Sequence, residues 1–148
     1  MRSRHPAHRN PVAAAIYKRR IEADIARLKA AAELHAWAGD SAPKLVQEAG
    51  SLLYIVSWAA GECGIDPDGA DMRILRGMAS ALGDLAADLD SVEAHRPALQ
   101  SGLLAIERIL PALNPWAIGL GAVELDRAMA SGGFGTHDIV RMHGMDPA

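Results

Sequence analysis

The spacing of apolar residues along the chain predicts five helices. Apolar side chains recur three and four residues apart in five segments, and residues that cap or break helices separate these segments. The stripe of the first segment consists of Tyr17, Ile21, Ile25, Leu28, Ala32 and His35. Asn10 and Pro11 form a helix start signal, and Gly39 is a stop signal. The first helix is therefore expected between Pro11 and Gly39.

The second predicted helix is apolar around most of its circumference. Asp40 or Ser41 can cap it, and Pro43 suits its first turn. Its apolar residues include Leu45, Val46, Ala49, Leu52, Leu53, Ile55, Val56, Trp58 and Ala60. A helix that is apolar on nearly every side usually lies in the middle of a fold. We therefore expect this helix to be central.

The third and fourth segments have the pattern of helices packed in an antiparallel bundle. In the third segment, apolar residues alternate three and four apart at Met72, Leu75, Ala79, Leu82, Ala86 and Leu89. Pro97 predicts a break or kink, because proline lacks a backbone N–H and disfavours helix in the residue before it. The fourth helix is then expected to carry Leu99, Leu103, Ile106, Leu110 and Leu113, and Pro111 is expected to shorten it.

The fifth segment has two apolar stripes. Asn114 and Pro115 repeat the start signal of the first helix. One stripe consists of Trp116, Leu120 and Val123, and the other consists of Ile118, Leu125 and Met129. Two stripes indicate either that this helix is sandwiched within the fold or that one stripe contacts a partner. We take Ile118, Leu125 and Met129 as the candidate partner-binding surface.

The composition agrees with these helices. Half of the 148 residues are hydrophobic, 22% are charged and only 4% are aromatic, which is typical of a folded helical protein. We predict an all-α fold, a single antiparallel bundle of about five helices that occupies residues 11–131. Residues 1–10 are expected to form a flexible basic arm. Residues 132–148 are expected to form a loose tail, in which Thr136 can cap a short helix.

The stretch GECGIDPDGAD, residues 61–71, contains three aspartates and the only cysteine. A calcium loop that opened at Asp66 would need a ligand, a glycine and a glutamate at positions where the chain has Ala70, Asp71 and Gly77. The calcium pattern fails at all three positions. The stretch is therefore predicted to be a turn, in which Gly61 or Gly64 ends one helix and Asp68 or Asp71 caps the next.

The cysteine and the six histidines do not predict a reaction. Cys63 is expected near a helix C-terminus beside Glu62. The negative end of the helix dipole and the carboxylate of Glu62 both oppose thiolate formation there, so we expect a buried inert thiol. The histidines lack the paired spacing of zinc sites, and the chain has neither a phosphate-loop lysine nor a nucleophile elbow. We expect no catalysis, no metal, no cofactor and no small-molecule ligand.

Charge is distributed unevenly along the chain. The net charge is −3, yet the first twenty residues contain six basic side chains and no acidic one. These six are Arg2, Arg4, Arg9, Lys18, Arg19 and Arg20. A basic arm of this kind can neutralise phosphates, which predicts sequence-independent nucleic-acid binding. The acidic remainder of the chain argues against this role, because it would repel a duplex.

The features favour a non-enzymatic interaction protein that acts as an adaptor, inhibitor or regulatory subunit. Its surplus apolar stripes also suit a homodimer. The alternative is a sequence-independent nucleic-acid-binding protein that uses the six basic residues of the first twenty positions. No apolar run is long enough to span a bilayer, and the N-terminus lacks the apolar stretch of a secretory signal. A cytoplasmic protein without membrane contact is the expectation.

Overall fold

Five α-helices and two short 3-10 turns make up most of the computed structural model, which describes residues 11–33 and 42–130. The helices are α1 (Pro11–Glu33), α2 (Ala42–Glu62), α3 (Ala70–Ala87), α4 (Val92–Ile109) and α5 (Pro115–Ala130). The 3-10 turns, Leu89–Ser91 and Leu110–Ala112, precede and follow α4. Because the described ranges contain no strand, the predicted all-α bundle is confirmed.

Several expectations concern residues outside the described ranges. They are the basic arm at 1–10, the tail at 132–148 with its short helix, and the helix signals at Asn10, Gly39, Asp40 and Ser41. These expectations stay predictions.

The five helices pack in a closed order around one core. Helix α5 lies between α1 and α2, α3 packs against α2 and α4, and α4 returns to α1. Every helix contributes large side chains that solvent does not reach. They include Leu28, Leu53, Leu75, Met78, Leu82, Leu85, Leu99, Leu103, Ile106 and Ile118. Since each helix buries its stripe against two neighbours, the hydrophobic pattern of the sequence accounts for the arrangement.

The expected central helix is confirmed in α2, where 11 of its 21 residues are buried. Two glycines allow neighbouring helices to approach closely. A Cβ atom added at Gly121 of α5 would lie 2.8 Å from the backbone oxygen of Ile55 in α2. A Cβ atom added at Gly102 of α4 would lie 2.6 Å from the Cβ of Met78 in α3. Both positions therefore require a residue without a side chain.

The expected break before Pro97 does not occur, because α4 begins at Val92 and continues through this proline. Arg96 is buried, and its guanidinium donates hydrogen bonds to the backbone oxygen of Ala32 and to the carboxylate of Glu93. The hydrogen bond to Glu93 raises the pKa of Arg96 above its ordinary value. Contacts with the last turn of α1 therefore hold the start of α4 in helical form and outweigh the loss of one N–H donor.

The predicted start signal of α5 is confirmed. The backbone N–H of Ala117 donates to Oδ1 of Asn114 over 2.7 Å, and Pro115 occupies the first helical position. Lys18 of α1 reaches the same corner, where its Nζ lies 3.4 Å from the backbone oxygen of Leu113. The N-terminal half of α1 is thus attached to the segment that joins α4 and α5.

Candidate partner-binding surface

The partner stripe predicted on α5 is largely internal. Ile118 is 0% exposed and Leu125 is 6% exposed, whereas Met129 is 46% exposed. Helix α5 is sandwiched between α1 and α2, so both of its apolar stripes find neighbours within the chain. The packing corrects the expectation of an accessible surface at Ile118 and Leu125. Only Met129 is open to a partner.

The most exposed large aliphatic side chains lie instead on α1. Among the described residues, Val12 is 66% exposed and Ile16 is 53% exposed, and they are one helical turn apart. Leu104 of α4, at 45%, is a comparable but separate position. The opposite side of α1 is already buried in the core through Ile21, Ile25 and Leu28. Helix α1 therefore has an inner face in the core and an outer face that leaves large apolar side chains in water.

The outer face follows a regular spacing of four and three residues. We call the six positions Val12, Ile16, Arg19, Ala23, Ala26 and Ala30 the outer seam. All six are exposed. This spacing is the seam pattern of packed helices, and the alanines permit a close approach of a second helix. The outer seam can therefore accept a helix along most of the length of α1.

The charges beside the outer seam have a defined order. Arg20 and Asp24 lie along one edge, and Glu22 lies along the other edge, next to Arg19 of the seam itself. Arg27 donates to Glu48 of α2 and, over 3.1 Å, to Asp24. These hydrogen bonds, with the one to Glu48 first, raise the pKa of Arg27. The outer seam contains no carboxylate of its own.

The described members of the basic arm do not form one patch. Consecutive residues on a helix point about 100° apart, so Lys18, Arg19 and Arg20 diverge. Lys18 is half-buried and contacts the backbone oxygen of Leu113, whereas Arg19 and Arg20 are exposed. The three other predicted contacts, Arg2, Arg4 and Arg9, lie outside the described residues.

The stretch at residues 61–71 forms a corner between α2 and α3. Gly64 has a φ of +72°, and the N–H of Ile65 donates to the backbone oxygen of Ala60 over 3.0 Å, which completes a Schellman cap. Oδ1 of Asp66 accepts a hydrogen bond from the N–H of Asp68 over 3.0 Å. The predicted turn is thus present and ends α2 at the expected glycine.

The expected cap of α3 needs a correction. The N-cap residue is Gly69, which has no side chain that could cap, and Asp71 lies inside the first turn. There Asp71 accepts a hydrogen bond of 2.9 Å from Nε of Arg108 in α4. The charge of Asp71 is favourable at a helix N-terminus without a direct cap bond. This aspartate therefore links α3 to α4 instead of starting α3.

Cys63 packs half-buried at the same corner. Its Sγ lies 3.6 Å from Nδ2 of Asn114, the residue that caps α5. The cysteine therefore contacts the start of a second helix, which the sequence alone did not indicate. In the described part of the chain, no three histidine, cysteine or acidic side chains come close enough together to hold a metal ion.

Two open grooves run along the junction of α1 and α4. One, of about 410 Å³, is lined by residues that include Lys18, Glu22 and Glu107, and the other, of about 240 Å³, lies beside Leu104. Lys29 bridges the junction through an ion pair of 2.9 Å with Glu107. Charges of both signs line the larger groove. None of the described helices combines the length and apolarity that crossing a bilayer requires.

Sequence reasoning missed the outer seam although its signal was present. Val12 and Ile16 have the spacing of a second stripe, but the next positions along it are arginine and alanine. A stripe of this composition resembles an ordinary solvated face. Only the packing of α1 shows that these two aliphatic side chains point away from the core. In comparisons with known proteins, no family model, no curated protein and no solved structure matches this chain.

Proposed function

We propose that this chain is a non-enzymatic helical interaction protein that binds its partner through the outer seam of α1. It would serve as an adaptor, an inhibitor or a regulatory subunit. The observation that carries the proposal is the exposure of Val12 and Ile16, at 66% and 53%, on a helix whose other face is already buried. Burial of a large aliphatic side chain contributes about 1.5–3 kcal/mol. A partner that covers both side chains therefore gains substantial binding free energy.

The charges support a protein partner with an amphipathic helix. Such a helix would place apolar residues on Val12 and Ile16 and carboxylates beside Arg19 and Arg20. Exposed ion pairs contribute little affinity, but they select the partner and its orientation. The apolar positions would then supply most of the affinity, and the arginines would supply the specificity.

A tagged protein that is recovered from host lysate tests this proposal when surface variants are compared. Ile16→Glu disrupts the outer seam, and Leu104→Glu places the same charge at an exposed leucine on another helix. We expect specific proteins that are recovered with the wild type and with Leu104→Glu, but not with Ile16→Glu. Equal recovery with all three proteins would refute the proposed surface. A far-UV circular dichroism melt confirms that each variant is folded.

Sequence-independent nucleic-acid binding is the second candidate. It rests on Arg19 and Arg20, which are exposed, and on the absence of carboxylates from the outer seam. In this case, recovery from lysate would collapse after nuclease treatment. The affinity for duplex DNA would fall steeply with salt. Replacement of both arginines by glutamine would flatten that salt dependence, whereas Ile16→Glu would change it little.

A further inference from the structure

We infer that the partner of the outer seam is a second copy of this chain, bound with its α1 antiparallel to the first. This inference rests on the proposed function and names its partner. The intervals along the outer seam are four, three, four, three and four residues. Because this order reads the same in both directions, each seam position of one helix lies level with a seam position of the other when that helix is reversed about the level of Ile21. A two-fold axis that crosses the outer seam between Arg19 and Ala23 generates such a pair.

The register that follows from this symmetry places large side chains opposite small ones. Val12 of one copy faces Ala30 of the second copy, and Ile16 faces Ala26. Arg19 faces Ala23, and the two-fold axis repeats all three pairs. Large residues opposite alanines fill the space between two helices without overlap. A parallel pair would set Val12 against Val12 and alanine against alanine, which leaves uneven gaps.

The charges along one edge of the outer seam agree with the same register. In an antiparallel two-fold pair, each edge of the seam meets the same edge of the second copy. Arg19 then lies beside Glu22 of the second copy along one edge. Along the other edge, Arg20 lies nearly level with Arg20 of the second copy, and Asp24 already accepts a hydrogen bond from Arg27 of its own chain. Opposite charges therefore meet at two places, where Arg19 can extend its head to Glu22 at the margin of the interface. The two exposed Arg20 side chains can turn away from each other into water.

A sedimentation-equilibrium concentration series of the full chain tests the inference. We expect a reversible monomer–dimer equilibrium for the wild type and for Leu104→Glu. Ile16→Glu removes one contact from each copy, so we expect dimerisation to weaken about a hundredfold, tenfold for each of two equivalent sites. Ala26→Glu, at the position that faces Ile16, is expected to have the same effect. Two variants at opposed positions keep the test valid if one of them folds poorly.

Cysteine cross-linking tests the direction and register of the pair. In a background with Cys63→Ser, one chain carries Ile16→Cys and another carries Ala26→Cys. The proposed register predicts an intermolecular disulfide only when the two chains are mixed. In either chain alone, the two equivalent cysteines would lie about 15 Å apart along the helices, beyond the reach of a disulfide. A disulfide that forms with Ile16→Cys alone would indicate a parallel pair and overturn the inference.

Failure of the inference is distinguishable from failure of the proposed function. A wild type that stays monomeric up to several hundred micromolar would overturn the second copy as the partner. A dimer that Ile16→Glu and Ala26→Glu leave intact would overturn it as well. In both cases, proteins that are recovered from lysate with the wild type but not with Ile16→Glu would still support the outer seam as a surface for a different protein.

Discussion

Substitution of Gly102 by alanine tests the close contact between α3 and α4. The added Cβ would lie 2.3 Å from Sδ and 2.6 Å from both Cβ and Cγ of Met78. A change of rotamer moves the sulfur and Cγ of Met78 but leaves its Cβ in place. The two helices must therefore separate, and overpacking of this kind costs about 1–3 kcal/mol or more.

Gly77 of α3 provides a matched control for this substitution. It is also a glycine within a helix, but an added Cβ would meet nothing within 4 Å. Alanine is favoured over glycine by about 1 kcal/mol in a helix interior. Gly77→Ala is therefore expected to raise the free energy of unfolding by that amount. Gly102→Ala gains the same helix propensity, but the overlap with Met78 opposes it. We therefore expect Gly102→Ala to lower the free energy of unfolding by up to about 2 kcal/mol.

Thermal unfolding followed by circular dichroism measures the difference. For a domain of this size, 1 kcal/mol shifts the melting temperature by about 2–4 °C. Gly77→Ala should melt about 2–4 °C above the wild type, and Gly102→Ala should melt up to about 8 °C below it. If Gly102→Ala is as stable as Gly77→Ala, α3 and α4 do not pack as closely as described, and the reasoning is refuted.

Three further predictions concern buried polar groups. Arg96→Met should lower the free energy of unfolding by about 1–3 kcal/mol, because it leaves the backbone oxygen of Ala32 in α1 unpaired. Glu93→Gln should lower it less, since the hydrogen bond from Arg96 to α1 remains. Urea titration compares the two variants, and equal losses of stability would contradict the role of the contact with α1. Ser57→Ala should stabilise the protein by about 1 kcal/mol more than Ser51→Ala in the same helix, since the Ser57 hydroxyl is buried without a hydrogen-bond partner among the described residues. A loss of stability measured by calorimetry would show that this hydroxyl does make a hydrogen bond. Burial, with a smaller effect of a nearby carboxylate on α5, raises the pKa of Tyr54 above its ordinary 10.0. Because the unfolded state then ionises first, stability falls as pH rises through that value. Tyr54→Phe should reduce the fall in melting temperature at alkaline pH, and an unchanged fall would contradict the raised pKa of Tyr54.

The helical fold was predictable because the signals that define each helix lie within or next to that helix in the sequence. The start signals at Asn114 and Pro115 lie where α5 begins, and the glycine at position 64 ends α2 with a positive φ. Periodicity and capping act over a few residues, so one sequence contains them fully. The central position of α2 was also readable, because its apolar residues surround the helix axis.

The errors arose where distant contacts decide the structure. Pro97 lies within α4 because Arg96 binds the end of α1, a contact between residues far apart in the chain. The two stripes of α5 are equivalent in sequence. Only the positions of α1 and α2 show that Ile118 and Leu125 are both internal. The requirement for glycine at position 102 likewise depends on the depth at which two helices cross.

The candidate site was the least predictable part of the molecule. A partner surface is defined by what the core leaves uncovered, and that cannot be read until the helices are packed. In the sequence, Val12 and Ile16 do not differ from many other apolar residues. Their exposure follows only from the burial of the opposite face of α1. The basic residues Lys18, Arg19 and Arg20 formed one run in sequence, but the helix directs them to different sides.

Site-specific photocrosslinking is the most direct test of the claim that the outer seam is a protein-contact surface. A photoreactive residue at position 23, in the middle of the seam, is compared with one at position 104 on α4. We expect a discrete protein adduct from position 23 in host cells and little or none from position 104; an adduct of twice the chain mass would identify a second copy. Absence of an adduct at position 23, or equal adducts at both positions, would contradict the account.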